Sequence, residues 1–198
     1  MKSTSRLISL SFLCVLGSGL SGWGAVWSEW GGSPGKNMVS EEKGLPTDIS
    51  GGEESEDNED EINRASATGC KWVVTLGSES YGTPTIGNGL VLVGTNNEKP
   101  RNPAIVGDRG VVMAFDEKSG SFRWQLTVPK LPGGDEIDWE YLGICSSTLI
   151  DGDRGYVVTN RAEVVCLDLK GLADGNHGFT GEGGYMAGPG KEPSKVGP

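Results

Sequence analysis

The stretch Ala114-Phe115-Asp116-Glu117-Lys118-Ser119-Gly120-Ser121-Phe122-Arg123-Trp124 reads as the end of one strand, a tight turn at Ser119-Gly120, and a second strand opening on tryptophan. Parts of it recur. Residues 71–76 (Lys-Trp-Val-Val-Thr-Leu) and 123–128 (Arg-Trp-Gln-Leu-Thr-Val) place Trp72 and Trp124 52 positions apart. Asp116 and Asp168 share that offset, whereas Thr95-Asn96 and Thr159-Asn160 stand 64 apart. Self-similarity at such a period marks a repeat architecture and decides the fold class before any local assignment does. Two insertions, near residues 97–110 and 130–139, displace the middle of the unit.

Within each unit, short apolar runs alternate with turn signals. The first unit predicts strands over residues 83–86, 90–95, 110–115 and 122–128. The second predicts strands over 146–150, 155–159 and 163–167. Gly87-Asn88-Gly89, Lys118-Ser119-Gly120 and Asp151-Gly152-Asp153-Arg154-Gly155 punctuate them. Runs of Val, Ile, Thr and aromatic residues between Gly, Asn and Asp clusters suit a pleated, half-buried surface. No helical periodicity stands out. About four strands per repeating unit predicts the blades of a β-propeller. The alternative is another antiparallel sheet protein with an amphipathic hairpin.

The pattern Ala-x-Asp-x-x-Ser/Thr-Gly-x-x-x-Trp resembles the tryptophan-docking repeat of the pyrroloquinoline-quinone (PQQ)-like β-propellers. These include quinoprotein alcohol dehydrogenases and the bacterial outer-membrane assembly propeller. Ala114, Asp116, Ser119, Gly120 and Trp124 all fit it, and the resemblance covers roughly residues 70–172. It implies that the Gly permits a tight turn and that the Trp packs between neighbouring blades. The second unit departs from the pattern. Asp168 is followed by Leu169-Lys170-Gly171-Leu172, with Gly one place early and no Trp at the matching distance. A ring needs at least about 4 blades of roughly 40–50 residues each, and the repeat region holds about two. The expected fold is therefore all-β, an incomplete propeller of about two four-stranded antiparallel blades. Its open faces await further blades, further copies or another partner.

The flanks divide the chain. Lys2 and Arg6 precede an apolar core over residues 7–20, followed by small residues. That is a secretory signal peptide over residues 1–25, too short to span a membrane, so the protein is expected to be exported to the periplasm or outside the cell. Its removal takes two cations away and the formal charge from −10 to −12. Residues 26–69 form an N-terminal Trp/Gly segment and an acidic linker. The run Glu53-Glu54-Ser55-Glu56-Asp57-Asn58-Glu59-Asp60-Glu61 repels itself and is expected to be disordered. Such acidity excludes nucleic-acid binding driven by phosphate contacts. Trp27 and Trp30 beside Gly31-Gly32 are expected to dock onto the propeller. Residues 173–198 read as an irregular tail.

Three cysteines follow the leader: Cys70, Cys145 and Cys166. The strand order puts Cys145 and Cys166 two strands apart, about 9–10 Å, beyond a disulfide's reach of about 7 Å. Cys166 takes the place of Ala114 in the second unit, so it reads as a small buried thiol. No Cys-x-x-Cys or adjacent pair suggests zinc or thiol-redox chemistry.

In an up-and-down unit, the second-to-third turns and the blade-to-blade connections share one face. Both insertions belong to that group, so both should crowd one face, where binding residues concentrate. That face would carry Asn96, Asn97, Arg101, Asn102, Arg109, Asp135, Asp138, Trp139 and Tyr141. Arg101 and Arg109 suit a carboxylate or phosphate, and Trp139 and Tyr141 offer a stacking surface. The competing reading is that Arg101, Asp108 and Arg109 tie the loop down by ion pairing. His177, the only histidine, lies in a turn-like stretch, and no Gly-x-Ser-x-Gly elbow occurs. The expected function is a non-catalytic, exported propeller module binding a partner or ligand through the long loops. PQQ with calcium enters only under the alternative of a quinoprotein dehydrogenase fragment; a remnant without function alone is the third reading.

Overall fold

A computed structural model describes residues 26–131, 139–173 and 195–197, the last three and positions 59 and 60 by their backbone alone. The leader, the tail around His177, Asp135 and Asp138 lie outside the described residues. The fold is all-β. Ten strands appear in chain order: β1 (Glu53–Ser55), β2 (Asn58–Asn63), β3 (Thr85–Gly87), β4 (Leu90–Asn96), β5 (Arg109–Asp116), β6 (Phe122–Pro129), β7 (Leu149–Asp151), β8 (Arg154–Val158), β9 (Val164–Asp168) and β10 (Lys195–Gly197). They form a two-stranded sheet β1-β2, a five-stranded sheet β10-β6-β5-β4-β3 and a three-stranded sheet β7-β8-β9, all antiparallel.

The two sequence offsets turn out to be one hydrogen-bond register. In the five-stranded sheet Leu92 pairs with Ala114, and Thr85 with Leu92. In the three-stranded sheet Tyr156 pairs with Cys166, and Leu149 with Tyr156. Thr85 and Leu92 precede their counterparts Leu149 and Tyr156 by 64 positions, and Ala114 precedes Cys166 by 52. The difference is the longer β4–β5 loop. Both sheets are therefore built on one plan, β3-β4-β5 matching β7-β8-β9, and β6 has no counterpart after β9 among the described residues.

Side chains alternate across a strand, so each sheet has two faces. One face of the five-stranded sheet packs on the three-stranded sheet. Leu92, Val112, Ala114, Trp124, Leu126 and Val128 meet Ile150, Val157, Leu167 and Leu169 there, with Ile144 from the connecting loop. The opposite face carries Val93, Val111, Met113 and Phe115. It is covered by residues 71–76, an extended stretch outside any strand, through Val74 and Leu76. Those residues are the sequence counterpart of β6.

Two indoles tie this plan together. Trp124 Nε1 donates to Leu169 O at 2.9 Å, and Trp72 Nε1 to Glu117 O at 3.0 Å, each across 45 residues. Each ring lies against a left-handed glycine. A Cβ on Gly171 (φ +61°) would come within 2.7 Å of the Trp124 ring, and one on Gly120 (φ +69°) within 2.6 Å of Trp72. The early placement of Gly171 is absorbed by a tighter turn: Gly171 N donates to Asp168 O, as Gly120 N does to Asp116 O. The Asp side chains do matching work. Asp116 Oδ1 accepts from the amides of Lys118 and Ser119, and Asp168 Oδ1 from the amide of Lys170.

Two expectations are corrected. The acidic run is a hairpin, β1-β2, closed by the Ser50–Thr68 bridge and by the Ser66 hydroxyl, which accepts from Glu53 N at 2.7 Å. Cys166 is exposed, as are Cys70 and Cys145, and all three are free thiols. Its slot opens to solvent because nothing described covers the outer face of the three-stranded sheet. The Trp27 segment does dock: Trp27 bridges Ile86, and Ser28 O accepts from Ile150 N at 2.7 Å.

Candidate functional site

The two insertions meet at one end of the sheets. Asp108, at the end of the β4–β5 loop, accepts from Tyr141 N at 2.6 Å through Oδ2 and pairs with Lys130 Nζ at 3.3 Å. Lys130 also donates to Trp139 O. Asn96 is fully buried below this joint. Its Nδ2 donates to Tyr141 O at 2.5 Å and to the Ser78 hydroxyl at 2.8 Å, while its Oδ1 accepts from Ser78 N and Glu98 N. Thus one strand-end amide fastens the β6–β7 connection to the β4–β5 loop. The backbone is bent to suit, with Tyr141 at φ +54°.

The residue types that sequence placed here divide. Asn97 is buried and spends its Nδ2 on Ile105 O and Gly107 O, so it folds its own loop. Asn102 Oδ1 accepts from Ala104 N in the same loop. Arg109 donates Nε to Val106 O at 3.0 Å. Trp139 stands out from the joint, 69% exposed. Asp108 Oδ1 is buried and takes no hydrogen bond among the described residues. The end therefore presents an aromatic surface on a base joined by hydrogen bonds.

Arg101 is elsewhere. The β4–β5 loop folds back over the open face of the five-stranded sheet. It sets the Arg101 guanidinium 4.6 Å from the Phe122 ring centroid and 5.6 Å from that of Phe115. Its Nη2 donates to Thr75 O at 2.9 Å. Burial, and then the neighbouring Arg64, lowers the Arg101 pKa. Arg64 itself donates to the Thr75 hydroxyl at 2.5 Å. The attraction there is the aromatic pair: Phe115, buried, and Phe122, half-buried, stack edge to face, 6.0 Å between centroids, and the guanidinium lies over both rings.

Around this point lies a cleft of about 560 Å³ lined by Arg64, Val74, Lys99, Arg101, Met113 and Phe115. An apolar groove of about 670 Å³, lined among others by Trp27, Leu45, Trp72, Val91 and Val93, adjoins it. Residue types alone do not reveal this surface. The available signal was the 52-residue offset, which makes residues 71–76 the counterpart of β6 and so places them on a sheet face rather than in a linker.

Among the described residues, no group of three or more His, Cys, Asp or Glu could hold a metal ion, and no helix is long and apolar enough to cross a membrane. No family model matches the chain, and no curated protein matches it.

Proposed function

We propose that the chain is an exported, non-catalytic module of the PQQ-like β-propeller type, which binds a partner or ligand at the loop end around Asp108, Trp139 and Tyr141. The observation that carries the reading is the pair of indole docks, Trp72 on Glu117 and Trp124 on Leu169, each spanning 45 residues. A docking Trp that fastens each unit to the turn of the next is what the sequence motif implies, and it recurs here in space. The loop end supports binding. Trp139, 69% exposed, offers a flat apolar face. Sugars and peptides both carry faces that stack on an exposed indole.

Three measurements test this. An array of peptides and oligosaccharides is probed with the wild-type protein and with Trp139→Ala. Binding lost in the variant supports the loop end; equal binding places the ligand elsewhere. Addition of PQQ and calcium is followed by dye-linked alcohol oxidation, where turnover would overturn the non-catalytic reading. Fusion of residues 1–30 to alkaline phosphatase reports export, and an inactive reporter would remove the exported location.

A further inference from the structure

The chain's own core is a lock between two unlike faces. The inner face of the five-stranded sheet (Leu92, Val112, Ala114) packs on the inner face of the three-stranded sheet (Val157, Leu167). By the shared register, the outer face of the three-stranded sheet is the counterpart of that first face. Val164 matches Val112, Cys166 matches Ala114, Tyr156 matches Leu92 and Val158 matches Gly94. Yet Val164 is 75% exposed where Val112 is 0% exposed. Leu149, Tyr156 and Val158 are exposed beside it. The outer face of the five-stranded sheet is likewise the counterpart of the second, with Val93 and Phe115 matching Val157 and Leu167. It holds the apolar groove beside Trp72.

The strands are incomplete in the same sense. Among the described residues β9 is an edge of its sheet, whereas its counterpart β5 is paired with β6. Residues 71–76 are the counterpart of β6 but belong to no strand. Among the described residues, β9 has no fourth strand beside it, and residues 71–76, the counterpart of such a strand, pair with no sheet. An unpaired edge is a template for another chain.

We infer that a second copy of this chain docks head to tail, its residues 71–76 pairing with β9 and its open groove covering the exposed face around Val164. The inference rests on the propeller-type repeat proposed above, and it continues the interface already present inside the chain. β6 shows that the two roles are compatible: it pairs with β5 while Trp124 docks on the next sheet. The contact joins unlike surfaces, so copies close a ring or extend as a filament.

The test uses the purified protein in sedimentation velocity. The expected result is an assembly of at least twice the chain mass, reduced to the chain mass by Val164→Glu with an unchanged circular dichroism spectrum. A second experiment traps the register, with the native cysteines replaced by serine. Val164 and Val74 are the counterparts of the paired Val112 and Leu126. Oxidation of a mixture of Val164→Cys and Val74→Cys should give a covalent dimer, and neither variant alone should. A wild-type protein that stays at chain mass at every concentration overturns the inference, as does one that gains mass only with a different protein. Self-linking of Val164→Cys also overturns it, in favour of a symmetric contact. Failure of the repeat itself is distinguishable, since it would appear as a small stability cost on removing the Trp124 indole.

Discussion

Removing the Trp124 indole should be among the most damaging single changes in the protein. The ring is 5% exposed and sits in the core between the two larger sheets. Trp→Ala in a core costs about 3–5 kcal/mol through lost transfer energy and the cavity left behind. That range includes the orphaned Leu169 carbonyl, since a buried acceptor without its donor costs about 1–3 kcal/mol. Trp124→Phe keeps most of the apolar area and should cost about half as much. The coupling to the facing turn sharpens the test. Gly171→Ala drives a methyl to 2.7 Å from the ring, so in the wild type it adds a clash to the strain of a left-handed alanine. In the Trp124→Ala background the clash is gone and only the strain remains. The double-mutant cycle should therefore return a coupling of about 1–2 kcal/mol. Urea unfolding followed by far-ultraviolet circular dichroism measures all four corners, provided the transition is two-state. A Trp124→Ala cost below about 1 kcal/mol, or additive effects of the two changes, would refute the docking argument.

Further expectations follow from the same contacts. Gly120→Ala places a methyl 2.6 Å from the Trp72 ring at φ +69°, whereas Gly89→Ala at φ +72° meets nothing within 4 Å. The first should cost about 2–3 kcal/mol and the second about 1 kcal/mol in urea unfolding; the reverse order would remove the Trp72 dock. Asp108→Ala deprives the Tyr141 amide of its acceptor and should cost about 1–2 kcal/mol, with faster hydrogen exchange at that amide; unchanged protection would show that the two loops are joined by other contacts. Hydrogen bonds from Arg123, then from the Ser119 hydroxyl and amide, hold the Asp116 carboxyl well below the usual carboxylate range. A folded value depressed below the unfolded one of about 3.9 means its stabilisation is complete above that pH and is lost as pH falls toward the folded value. The urea-midpoint gap between wild type and Asp116→Asn should thus be widest near neutrality and narrow below about pH 4; a gap independent of pH would contradict this.

Much of the fold is legible in the sequence because its signals are local. Short apolar runs between Gly, Asn and Asp turns fix which stretches are strands, and the predicted runs 90–95, 110–115 and 122–128 differ from β4, β5 and β6 by a residue at most ends. The Asp-x-x-Ser-Gly turn is legible for the same reason, since Asp116 satisfies amides two and three residues away. The site is less legible. Asn97 and Arg109 are polar residues on a long loop, but they bond to that loop's own carbonyls.

The chain by itself determined the repeat, its two offsets, and so the register of both sheets, because hydrogen-bond pairing transmits spacing directly into position. Tertiary structure alone decided what covers what. Arg101 sits away from the loop end because its guanidinium packs over the Phe115–Phe122 pair on the outer face. Cys166 and Ala114 hold the same register position, yet only Ala114 is buried, because a second sheet lies over one and not the other. Burial depends on a partner surface far away in the sequence, and local spacing carries no record of whether that surface is there.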